Sequence, residues 1–129
     1  MSAANLVLLV DDDHDLIQAV SLRMQASGYL TLVAEDGVQA VACARQRHPD
    51  AIVMDVRMPE MDGLEALDRL KHTDETRQIP IVMLSASLVD QQDALEHGAR
   101  YFLKKPFQSG ELVQAVSTAI QETQQRQQP

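Results

Sequence analysis

The chain has 129 residues, a formal net charge of −8, one cysteine and 45% apolar residues. It is long and apolar enough for one domain with a buried core, and its acidic balance argues against direct nucleic-acid binding. A lone cysteine, unable to close an internal disulfide, suits the cytoplasm; no apolar run reaches membrane-spanning length, and Met1–Asn5 lacks the features of a signal peptide.

Read in chain order, strand-like and helix-like segments alternate. Leu6–Val10 is an apolar run of strand length that stops at Asp11-Asp12-Asp13. Leu16, Ile17, Val20 and Met24 then recur at helical spacing, and Gly28 is a helix stop. Leu30–Ala34 reads as a second strand. Asp36-x-x-Gln39 reads as a capping box opening a helix through Val38, Val41 and Ala44. Ala51–Met54 is the third strand, and Asp62-x-x-Glu65 caps a helix carrying Leu64, Leu67 and Leu70. The polar stretch from His72 to Gln78 is a loop before the fourth strand, Ile81–Leu84. Ser87-x-x-Asp90 then reads as the start of a weakly apolar helix ended by Gly98. Tyr101–Leu103 with Lys104 is the fifth strand, and Ser109 is positioned to cap a helix through Leu112, Val113, Val116 and Ile120. Five β–α units predict right-handed crossovers and a five-stranded, doubly wound parallel sheet, a flavodoxin-like (βα)5 three-layer sandwich. The folded unit is placed at residues 1–121, and the Gln-rich segment 122–129 reads as a polar tail or linker.

Five polar residues stand at the ends of four of these strands: Asp11, Asp12, Asp55, Ser85 and Lys105. The carboxyl ends of parallel strands share one edge, where ligands bind, so these groups should converge. Three carboxylates at close range repel one another, and a hard divalent cation relieves that repulsion. The cation also cancels charge on an incoming phosphoryl group. A carboxylate could then act as nucleophile, with the Lys105 ammonium and the Ser85 hydroxyl binding phosphoryl oxygens.

Four strings carry a family resemblance: Leu8-Leu-Val-Asp-Asp-Asp13, Val53-Met-Asp-Val-Arg-Met-Pro-Glu-Met-Asp-Gly63, Met83-Leu-Ser-Ala86 and Lys104-Lys-Pro-Phe107. In this order and spacing they resemble the receiver domain of bacterial two-component response regulators. The resemblance implies a phosphorelay protein in which Asp55 accepts phosphate from a sensor histidine kinase or phosphotransfer protein. It implies that Asp12, Asp55 and the Arg57 carbonyl hold Mg²⁺, or Mn²⁺, with Asp11 reaching the ion through water. It also implies that Ser85 and Phe102 form a switch, that Lys105-Pro106 is cis, and that helix four, strand five and helix five present a changed surface to a downstream output. Such a protein catalyses only its own phosphorylation and dephosphorylation.

Taken singly, each feature has a plainer reading. Asp13 is a helix cap, Ser85 alone a buried hydroxyl, and Lys104-Lys105 a solvated pair. The four histidines lack metal-ligand spacing. Two other functions compete. Asp11-x-Asp13 with Ser85 and Lys105 is similar to the haloacid dehalogenase phosphatases, with Asp11 as nucleophile, but that leaves Asp55 and the Met58-Pro59 loop unexplained. A flavodoxin-like nucleotide binder would want neutral donors after the first strand, where this chain has three aspartates.

Overall fold

The computed structural model describes residues 4–127; Met1–Ala3, part of the segment read as lacking a signal peptide, and the last two residues of the tail lie outside them. The order is β1 (Leu6–Val10), α1 (His14–Ala26), β2 (Leu30–Ala34), α2 (Gly37–Arg47), β3 (Ala51–Asp55), α3 (Gly63–Lys71), β4 (Ile81–Ser85), α4 (Asp90–Glu96), β5 (Tyr101–Lys104) and α5 (Ser109–Gln127). All strand pairs are parallel, in the spatial order β2-β1-β3-β4-β5. The chain reverses its winding between β1 and β3, so a crevice opens outside the carboxyl ends of those two strands.

Alternation along the central strands sorts the core into two layers. Leu8, Val10, Ile52, Met54, Ile81 and Met83 point to the face covered by α2, α3 and α4. Val7, Leu9, Val53, Val82 and Leu84 point to the other face and meet Val20 and Met24 of α1 and Leu112, Val116 and Ile120 of α5. Burying each of the larger side chains stabilises the fold by roughly 1.5–3 kcal/mol. With both faces covered, β3 and β4 are buried along their whole lengths, which is why they read as unbroken apolar runs.

The predicted caps of the first three helices form. The side chains of Asp13, Asp36 and Asp62 accept from the backbone N–H groups of Leu16, Gln39 and Glu65. Three local expectations need correction. Ser87 does not cap α4: Val89 is its N-cap, without a side-chain cap bond, and Asp90 turns inward. Ser109 is the first residue of α5 rather than its cap. The segment read as a tail continues that helix to Gln127, because Glu122 bonds Arg100 Nε at 3.0 Å and the Tyr101 hydroxyl at 2.7 Å, tying this turn to the start of β5.

Gly63 links the fold to the crevice. Its N–H donates to Val56 O at 2.8 Å, and a Cβ added there would lie 2.1 Å from the backbone oxygen of Asp55. Glycine is required here by the close approach of α3 to the end of β3. Gly63→Ala is expected to lower stability by about 1–3 kcal/mol in urea denaturation, as overpacked sites do. Gly110→Ala, where an added Cβ meets nothing within 4 Å, is the control and should be neutral or slightly stabilising.

Candidate functional site

The strands deliver the acidic residues as their alternation and ends dictate. Asp11 follows β1 and is buried, Asp12 beside it is exposed, and Asp55 closes β3 at only 5% exposure. One carboxylate oxygen from each of the three lies within 4.8 Å of the others. Lys105, just beyond β5, reaches across the edge of the sheet. Its Nζ stands 2.8 Å from Asp11 Oδ2 and 3.0 Å from Asp55 Oδ1. The lysine is itself seated by its backbone N–H, which donates to Ser85 O at 2.8 Å, and its bond to Pro106 is cis.

Electrostatics follow from this packing. Burial pushes the Asp55 pKa up and the nearby Asp11 charge adds to that; the Lys105 hydrogen bond and charge and the Arg57 backbone oppose the rise without cancelling it. Burial also works against charge on Lys105. Its hydrogen bonds to Asp11 and Asp55, and their charges, prevail and raise its pKa, so it remains an ammonium.

The set suits a hard divalent cation, which takes carboxylate and carbonyl oxygens. Within it the roles divide. Asp11 Oδ1 accepts from Asp13 N–H at 3.0 Å while Oδ2 accepts from Lys105, so both of its oxygens are engaged. The exposed Asp12 carboxylate has no hydrogen bond or ion pair among the described residues, and Asp55 keeps one oxygen off Lys105.

Ser85, at the end of β4, is buried and donates to Asp90 Oδ2 at 2.7 Å. The Arg57 side chain turns the same way, with Nη2 at 3.2 Å from Asp90 Oδ1 and Nε at 3.4 Å from Oδ2. Phe102 is half-buried against the layer that contains Ala94 of α4. The structure therefore brings Asp11, Asp12, Asp55 and Lys105 together, sets Ser85 and Arg57 on Asp90, and leaves Phe102 half-buried against the core layer. Asp90 is the site residue that sequence reading missed. It shares an inward face with Ala94, four residues on, in an otherwise polar helix. A carboxylate on the buried stripe of a short helix was the available signal.

The fold and this carboxylate–lysine cluster define an acidic, cation-ready site at the switch point of a flavodoxin-like domain. Comparison with known sequences makes the assignment specific: residues 7–117 match the response regulator receiver domain, and the chain belongs to that family. It is 38% identical over 116 residues to the transcriptional regulatory protein PrrA of Mycobacterium tuberculosis, covering 88% of this chain and 49% of that protein. It is 33% identical over 119 residues to the DNA-binding dual master transcriptional regulator RpaA of Synechocystis, covering 91% and 49%. The chain thus spans about half the length of these relatives. Among solved structures, a Francisella response regulator receiver domain superposes with a TM-score of 0.85 at 31% identity, covering 92% of this chain and 98% of that one. The receiver domain of a Pseudomonas aeruginosa sensor histidine kinase, with a magnesium ion coordinated in its active-site cleft, gives 0.85 at 31% identity over 92% and 99%. Receiver domains are signalling modules of two-component systems rather than enzymes acting on a separate metabolite. Among the described residues no helix is long and apolar enough to cross a membrane.

The raised Asp55 pKa has a consequence for stability. The folded state holds that proton more tightly than the unfolded chain, so ionised Asp55 costs stability at neutral pH. The cost is lost as pH falls through the folded pKa toward the unfolded value of about 4. Asp55→Asn should therefore raise the urea midpoint at neutral pH, by a margin that narrows as the pH approaches that value. A variant less stable than wild type at neutral pH contradicts the account.

Proposed function

We propose that this receiver accepts a phosphoryl group on Asp55 from the phosphohistidine of a sensor kinase or phosphotransfer protein, and passes the signal on through α4, β5 and α5. The observation that carries the reading is Asp55 itself: a buried strand-end carboxylate at the switch point, beside two more carboxylates and an ammonium. Asp12, Asp55 and the Arg57 carbonyl would hold Mg²⁺, or Mn²⁺, with Asp11 reaching it through water. When bound, the ion neutralises charge on the donor phosphoryl group and on the carboxylates around it.

The chain's own residues do the rest. Lys105 holds Asp55 in place and presents an ammonium that reaches both Asp11 and Asp55, so it can follow the charge from carboxylate to phosphoryl oxygen. The Asp55 oxygen attacks phosphorus, the histidine nitrogen leaves with the bonding pair, and an acyl phosphate results. Ser85 then donates its proton to a phosphoryl oxygen, and Phe102 repacks behind it. We place these events in the cytoplasm and assign no direct nucleic-acid binding to this segment; an output domain or protein reads the changed surface. The alternative with Asp11 as a phosphatase nucleophile is disfavoured, because both Asp11 oxygens already serve as acceptors.

Incubation with Mg²⁺ and acetyl phosphate should add one phosphoryl group to the wild type and none to Asp55→Asn, read by intact mass at neutral pH. Asp12→Ala should reduce incorporation at least tenfold, a loss of about 1.4 kcal/mol or more in transition-state stabilisation. Equal labelling of the Asn variant, or full labelling in excess chelator, overturns the assignment.

A further inference from the structure

Asp90 is a buried carboxylate, 5% exposed, in the first turn of α4. Helix α4 is the shortest helix, seven residues, and only Asp90 and Ala94 of it are buried. Ser87 holds that turn locally, its Oγ accepting from Val89 N–H at 3.2 Å and its carbonyl from Asp90 N–H at 3.3 Å, and the Asp90 side chain ties the turn to the rest of the fold. The contacts of that side chain are unequal. The Arg57 pair is long, at 3.2 and 3.4 Å, and its guanidinium side chain is 73% exposed, so solvent screens it. The Ser85 bond is short, 2.7 Å, and buried at both ends. It is the one that counts.

A serine hydroxyl has a single proton to donate. Here that proton goes to Asp90, and the same oxygen accepts from Ser87 N–H at 3.1 Å. Ser85 cannot give its proton to a phosphoryl group on Asp55 while Asp90 holds it. We propose that Asp90 is a positioning residue that holds the Ser85 hydroxyl in the unphosphorylated protein. Its loss of that donor to the phosphoryl group releases the first turn of α4. This inference rests on Asp55 being the phosphoacceptor. On release, Asp90 is a buried carboxylate left with only the long contacts to the exposed Arg57 guanidinium, and it is drawn outward toward that cation and water. That movement displaces Leu88 and Val89, which stand 57% and 81% exposed just before the helix. The phosphoryl signal thus reaches an apolar surface through one exchanged proton donor, in addition to any repacking of Phe102.

Competition for one donor makes a quantitative prediction through linkage. Beryllofluoride, which occupies a carboxylate as a phosphoryl mimic in the presence of Mg²⁺, should bind Asp90→Ala about five- to tenfold more tightly than wild type, because Ser85 no longer has to leave Asp90. Asp90→Asn, which keeps an acceptor of lower charge, should fall between. Placed on Ser85→Ala, the Asp90→Ala change should alter affinity less than twofold, giving a non-additive double-mutant cycle. Without any phosphoryl mimic, amide exchange over residues 87–96 should be faster in Asp90→Ala than in wild type. An equal gain or loss of affinity in both backgrounds overturns the proposal, since a merely structural Asp90 would act regardless of Ser85. Failure of wild type to bind beryllofluoride at Asp55 would instead remove the phosphoacceptor reading. The amide-exchange arm then still decides whether Asp90 holds α4, and unchanged exchange in Asp90→Ala says that it does not.

Discussion

Two buried carboxylates placed side by side set the terms for this molecule. Asp11 follows β1 and Asp55 ends β3, the two strands between which the chain reverses its winding, and both side chains are buried there. Their mutual repulsion and desolvation are offset at rest by one ammonium, that of Lys105, which lies within 3.0 Å of both. The ends of β1, β3 and β5 are thereby joined by charge as well as through the sheet. The same arrangement leaves the cluster with a net negative charge, since three carboxylates face one lysine. A divalent cation can offset that charge.

Neighbouring features keep this strained grouping in position. Gly63 lets α3 approach the backbone of Asp55 closely, so that carboxylate sits on a rigid strand end rather than on a loop. Asp13 gives its backbone N–H to Asp11 while its side chain caps α1, joining the acidic turn to the helix that follows. Beyond the cluster, the contacts loosen. The Ser85 and Arg57 side chains both bond Asp90, and α4 has little other buried surface. A rigidly held carboxylate beside a weakly anchored helix is the arrangement in which a local change of charge can shift a larger equilibrium.

The sequence disclosed the frame more fully than the connections within it. The strand runs and the capping aspartates are local signals, and Asp13, Asp36 and Asp62 act as their positions predict. Convergence of Asp11, Asp12, Asp55 and Lys105 followed from parallel topology alone. Asp90 was misread because Ser-x-x-Asp matches a capping pattern, whereas tertiary burial beside Ser85 decided its orientation. The final helical turns were hidden for a similar reason. Residues 122–127 are polar throughout, and their order depends on Glu122 meeting Arg100 and Tyr101 from a distant strand. The tight approach at Gly63 was equally invisible, since nothing local distinguishes it from a turn glycine.

The relation of charge to metal can be measured without any phosphoryl donor. A cation that binds only the folded state raises its stability by about 1.4 kcal/mol at ten times its Kd. Urea denaturation across a Mg²⁺ titration should show this gain for the wild type, a much smaller one for Asp12→Ala and Asp55→Asn, and a loss of the gain as the carboxylates protonate at low pH. A wild type indifferent to Mg²⁺, or stabilised no more than the two variants, would contradict the claim that these carboxylates form a cation site.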